Sequence, residues 1–211
     1  MKTVRDYSFR DLFHKACFIQ TDNKINKVLA DAGFQKGEDS TGVLAYGYID
    51  YEAGFTFEVL CFALSKDDKL ASFDKGNERI SMKLRRGSVA DFPVLILDDA
   101  FLQGFQDKVN MINNGYTCDD AVALTRSIQI IDPRRNEDYP DDIMVFLWAE
   151  NLQAEGCWVR CTGIDDGKII GKLLNEPVQD FGVHYGDIIH FGVMKQENGP
   201  VCLALLPKSE T

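Results

Sequence analysis

The run from Gly156 to Phe191 constrains this chain more than any other, because strand-forming and turn-forming residues alternate there in short blocks. Cys157-Trp158-Val159-Arg160-Cys161-Thr162 suits a pleated, half-buried surface, Asp165-Asp166-Gly167 supplies a turn, and Lys168 to Leu174 returns as a second strand. Asn175-Glu176-Pro177 stops that strand. After an irregular stretch, Tyr185-Gly186-Asp187 turns the chain into Ile188-Ile189-His190-Phe191, a further apolar strand. The pattern predicts a compact β unit.

Strands predicted at Ile143 to Asn151 and Val201 to Leu206 flank this unit. Upstream, Ser8 is placed to cap a short helix with apolar Phe9, Leu12, Phe13 and Ala16 and with Asp11 in capping-box position. Asp22 caps a second helix, striped by Ile25, Val28, Leu29 and Ala32 and stopped by Gly33. Strands are then expected at Val43 to Tyr51, Thr56 to Leu64, Lys69 to Phe73, Arg79 to Leu84 and Phe92 to Leu97, with breaks that include Lys75-Gly76-Asn77. Such short connections favour an antiparallel meander. Leu102, Phe105, Val109 and Ile112 share one helical face, and Thr117-x-x-Asp120 opens another helix through Leu124 and Ile128. The segment Asp132 to Asp142 is charged, holds two prolines and lacks periodicity, which marks it as a linker. The expected fold is therefore α+β: residues 1–131 form an antiparallel sheet with packed helices, and residues 139–211 form a small, acidic, β-rich, barrel-like domain.

Trp158-Val159 on one strand, Gly171-x-Leu173-x-Asn175-x-Pro177 closing the next, and Gly186-Asp187-x-Ile189 opening a third resemble the YegJ-like bacterial domains of unknown function. The resemblance runs from Ile143 to Phe191. It implies a small β-rich bacterial domain, often attached to other modules, and carries no activity with it.

At 211 residues with 45% hydrophobic content the chain is long enough to bury a core without covalent staples. No basic start followed by an apolar stretch resembles a secretory leader, and runs such as Ile143 to Ala149 are too short to span a bilayer, so a cytoplasmic protein without a membrane partner is expected. The six cysteines, Cys17, Cys61, Cys118, Cys157, Cys161 and Cys202, sit among apolar residues and read as free thiols. Net charge is −10, divided as −3 over residues 1–131 and −7 over residues 132–211. A nucleic-acid binder needs a cationic footprint, and only Lys83-Leu84-Arg85-Arg86 offers a local one, which also suits a solvated strand edge; no nucleic-acid partner is expected.

Chemistry-bearing patterns are sparse. Cys157 and Cys161, four apart in a strand, point to one face but lie about 13 Å apart, too far to share a metal ion readily. The doublets Asp98-Asp99, Asp119-Asp120, Asp141-Asp142 and Asp165-Asp166 are adjacent rather than at ligand spacing, and phosphate loops and dinucleotide fingerprints are missing. No metal, cofactor or catalytic residue is assigned. These features favour a non-catalytic cytosolic protein-binding module, of an accessory or immunity type that masks a basic partner. Its candidate binding residues are Trp158, Asp165, Asp166, His184 and Asp187. The alternative is a small hydrolase or transferase that joins Cys157, Cys161, His184 and Asp187.

Overall fold

Apolar or small residues fill nearly every position of β2 (Gly42–Asp50) and β3 (Gly54–Lys66), so neither strand has a face suited to water, and both are buried on both sides. The computed structural model describes residues 1–74, 76 and 79–207; of the expected break at Lys75-Gly76-Asn77, positions 75 and 77 lie outside the described residues. Contacts divide the chain into two compact units, Met1–Thr117 and Cys118–Thr211.

In the first unit, β2 and β3 are the middle of a six-stranded antiparallel sheet with β1 (Ala16–Gln20), β4 (Lys69–Phe73), β5 (Lys83–Arg85) and β6 (Val94–Ile96). The order is β4-β3-β2-β1-β6, and β5 pairs with the other half of the long β3. One face packs Phe55, Phe57 and Val59 against Leu12 of α1 (Phe9–Leu12) and Leu29 of α2 (Asn23–Asp31). The opposite face packs Leu44, Tyr46 and Leu60 against Val109 and Ile112 of α3 (Gln106–Gly115). A buried ion pair ties α3 to the sheet: Lys108 Nζ lies 3.1 Å from Glu58 Oε1 and donates to the carbonyls of Val59 and Ile80.

The second unit begins with α4 (Asp120–Ser127), which packs on β8. Its strands β7 (Asp142–Trp148), β8 (Glu155–Asp165), β9 (Lys168–Leu173), β10 (Ile188–Gln196) and β11 (Gly199–Leu205) close into a barrel in the order β10-β11-β7-β8-β9. Only the β11–β7 pair is parallel. Alternation places Val145, Val159, Leu173, Ile189 and Cys202 inside, joined by Ile131 and Phe181 from outside the strands. The α+β architecture with a small closed barrel is thus as the strand and turn pattern indicated.

The boundary is different. Residues 132–142, expected to link two domains, are built into the second unit, as are α4 and the short 3-10 helix Gln129–Arg134. Arg126 makes two hydrogen bonds to the buried carboxylate of Asp141, at 2.8 and 2.7 Å. Arg135 donates to the carbonyls of Pro140 and Thr125, and Arg160 holds Asp142 with two bonds of 2.7 and 3.0 Å. Charge that composition assigns to solvent is used internally, because Asp141 and Asp142 each find a planar guanidinium of matching geometry. Among the described residues no helix is long and apolar enough to cross a membrane.

Candidate functional site

The motif residues of the barrel come together as a scaffold for one loop. Gly171 lies so close to β8 that an added Cβ would stand 2.6 Å from the Arg160 carbonyl oxygen, so a bare backbone is required there. Beyond β9, the Asn175 side chain accepts from the Trp158 amide at 2.7 Å and donates to the Cys157 thiol at 3.2 Å, pinning the strand exit to β8. Glu176 then gathers the far end of the loop: one oxygen accepts from the Tyr185 amide at 2.8 Å and the other lies 2.7 Å from His184 Nδ1. Asp187 accepts from the His184 amide at 2.8 Å, and Gly186, at φ +95, supplies the turn into β10.

His184 is exposed, and its pKa is raised, first by the hydrogen bond to Glu176 and then by the charge of that carboxylate, with Asp187 and Asp180 adding to it. Glu176 is correspondingly lowered, chiefly by the Tyr185 amide and then by His184. Cys157 and Cys161 face the barrel interior with no exposed surface. Burial pushes the Cys161 thiol up to about 12, and raises Cys157 against the partial offset of the Asn175 amide. Thiolate chemistry is thereby disfavoured at both. Two groups of the alternative Cys-His-Asp site, His184 and Asp187, share the loop; both thiols are buried in the barrel, and Cys157 meets the loop only through the Asn175 amide. Among the described residues no cluster of three or more His, Cys, Asp or Glu could hold a metal ion.

Asp165 and Asp166 sit at the β8–β9 hairpin. Asp165 pairs with Lys168, while Asp166 and Gly167 have φ of 45 and 72, the left-handed values of a two-residue turn. Asp166 has a backbone role there, and Asp165 is the freer surface charge.

Trp158 lies on the outer face of β8, half-buried and opposite Met144 of β7. A further feature lies on the outer wall formed by β7, β10 and β11. The outward positions of β7, β10 and β11 form cross-strand apolar rows, Met194 with Val201, Phe146 with Leu203, and Trp148 with Leu205. They line a groove of about 660 Å³ whose other walls are Ala154 and Gln196. Trp148, Met194 and Leu205 are 45%, 44% and 67% exposed, which sets this wall apart from an ordinary sheet surface. A signal was present in the sequence: Ile143 to Ala149 and Val201 to Leu206 are apolar at both parities, so a single sheet with one interior leaves one apolar set outside.

The clefts of the first unit are more committed. One, about 640 Å³, includes Asp74, whose carboxylate accepts from the Gly37 amide and the Ser40 hydroxyl. Another, about 340 Å³, lies over Glu58, Lys83 and Tyr116, where Glu58 faces Lys108 and Lys83 donates to the Tyr116 hydroxyl. The carbonyl contacts of Lys108 make that pair an anchor for α3 rather than a reactive couple.

Compared with known proteins, the chain matches no family model, no curated protein and no solved structure.

Proposed function

We propose that this chain is a non-catalytic, cytosolic protein-binding module, of an accessory or immunity type, that masks the surface of a basic protein partner. The observation that carries the reading is the exposed apolar groove on the outer wall of the barrel. Open apolar surface with three large side chains unburied is costly in water and suited to a protein interface. The charge of the same unit supplies the second element: residues 118–211 hold 8 Lys and Arg against 16 Asp and Glu, a net −8, which favours a basic protein over a nucleic acid. The YegJ-like resemblance belongs to this proposal as the class of module, a small β-rich bacterial domain often attached to other modules. The buried, raised thiols weigh against the hydrolase or transferase alternative.

The test is affinity purification from the native host with the intact chain and with a Trp148→Ser, Leu205→Gln variant checked for an unchanged fold. A basic protein recovered with the intact chain and lost with the variant is expected. Equal recovery by both would remove the groove from the interface.

A further inference from the structure

We infer that the groove seats one amphipathic helix with basic flanks, about nine residues of it in contact, presented by the partner; this deepens the binding proposal above and rests on it. The first argument is backbone chemistry. All five strands of the barrel are paired around its circumference, so no strand edge offers a ladder to an incoming extended segment. Gln196 is the one polar side chain among the groove residues, and an extended peptide laid on this wall would bury its amides and carbonyls against carbon. A helix satisfies those groups within itself and presents only side chains.

Dimensions agree. Three adjacent strands at about 4.8 Å spacing place the outer axes of β10 and β7 about 10 Å apart, the width of a helix with its side chains. From Val201 to Leu205 the wall runs about 13 Å, roughly two and a half helical turns or about nine residues. The three apolar rows then meet anchors at i, i+3 or i+4, and i+7.

Charge selects the occupant. Glu150 and Glu197 flank the groove residues in sequence, against Lys195 and an Arg134 guanidinium engaged by the Pro200 carbonyl beside Val201, within a unit of net −8. A second copy of this chain would bring its own net −10 to the contact, so self-association is disfavoured and a helix flanked by Lys or Arg is favoured.

The probes are synthetic peptides of about fourteen residues, long enough for the contact plus its flanks. One carries leucine and lysine at helical spacing, a second has the same composition with leucine at every other position, and a third replaces lysine by glutamate in the helical pattern. Binding to the full chain is followed by methyl and amide NMR shifts and by circular dichroism of the peptide. Saturable shifts at Met194, Leu203 and Leu205 are expected with the first peptide, together with a gain of its helix. At least about tenfold weaker binding is expected for each of the other two and for Leu205→Gln, a change of about 1.4 kcal/mol. Equal binding of the alternating peptide at the same residues would overturn the helix while leaving the groove as the interface. Shifts confined to the Asp165 turn or the His184 loop, or none at all, would overturn the binding proposal at this wall as well.

Discussion

Arg126 and Asp141 bind each other through two parallel hydrogen bonds, with side chains 10% and 4% exposed, inside the second unit. Removing one partner leaves the other charge in a site with little water, so Asp141→Ala should lower the stability of this unit by about 3–5 kcal/mol. Urea unfolding followed by the signal of the tryptophans, both in this unit, checks it, and a loss below about 1 kcal/mol, the range of surface pairs, would contradict the burial. The same residues explain why the segment 132–142 reads as a linker. Its acids and prolines lack period, but Asp141 and Asp142 meet arginines 15 and 18 positions away, a pairing that linear composition does not encode. Asp166 shows the reverse case. Asp-Gly after a strand announces a left-handed turn, and the φ values of Asp166 and Gly167 agree with it.

At the scale of elements, the hairpin and barrel strands were legible because turn residues punctuate them, whereas Ala16, the first residue of β1, fits the apolar spacing of a helix. Ser8 and Asp11 do form their capping box, yet α1 ends at Leu12, and His14 at φ 57 redirects the chain so that Ala16 opens a strand rather than a fourth helical contact. Apolar spacing alone cannot separate those outcomes. The loop from Asn175 to Asp187 was legible as turns but not as a network, since the convergence on Glu176 depends on three dimensions. It has a consequence for pH. Because the folded pKa of His184 is raised above 6.5, its ion pair contributes fully below pH 6.5 and fades as pH rises through the raised value; Glu176, being lowered, loses its part only as pH falls through its own depressed value. NMR titration should give a His184 midpoint above 6.5 that drops in Glu176→Gln. A midpoint at or below 6.5 in the intact chain would show that the Glu176 contact is not made in solution.

Across the whole molecule, charge and apolar surface are concentrated in the second unit: residues 1–117 carry net −2 and residues 118–211 net −8, and the apolar groove lies on the latter. Acidity was visible in composition. The groove was not, because strands apolar at both parities read as doubly buried until closure of the barrel leaves one parity outside. The two properties have separate kinetic signatures, since exposed charge acts on encounter and desolvated apolar contact acts on residence. The direct measurement is association and dissociation rates with the purified partner, at low and high salt, for the intact chain, Leu205→Gln and Asp165→Lys. Asp165 is altered alone because lysine at Asp166 would strain a left-handed backbone. Leu205→Gln is expected to speed dissociation about tenfold with association unchanged, and Asp165→Lys to slow association and flatten its salt dependence with dissociation unchanged. Dissociation that is the same for Leu205→Gln and the intact chain would contradict binding through the barrel wall.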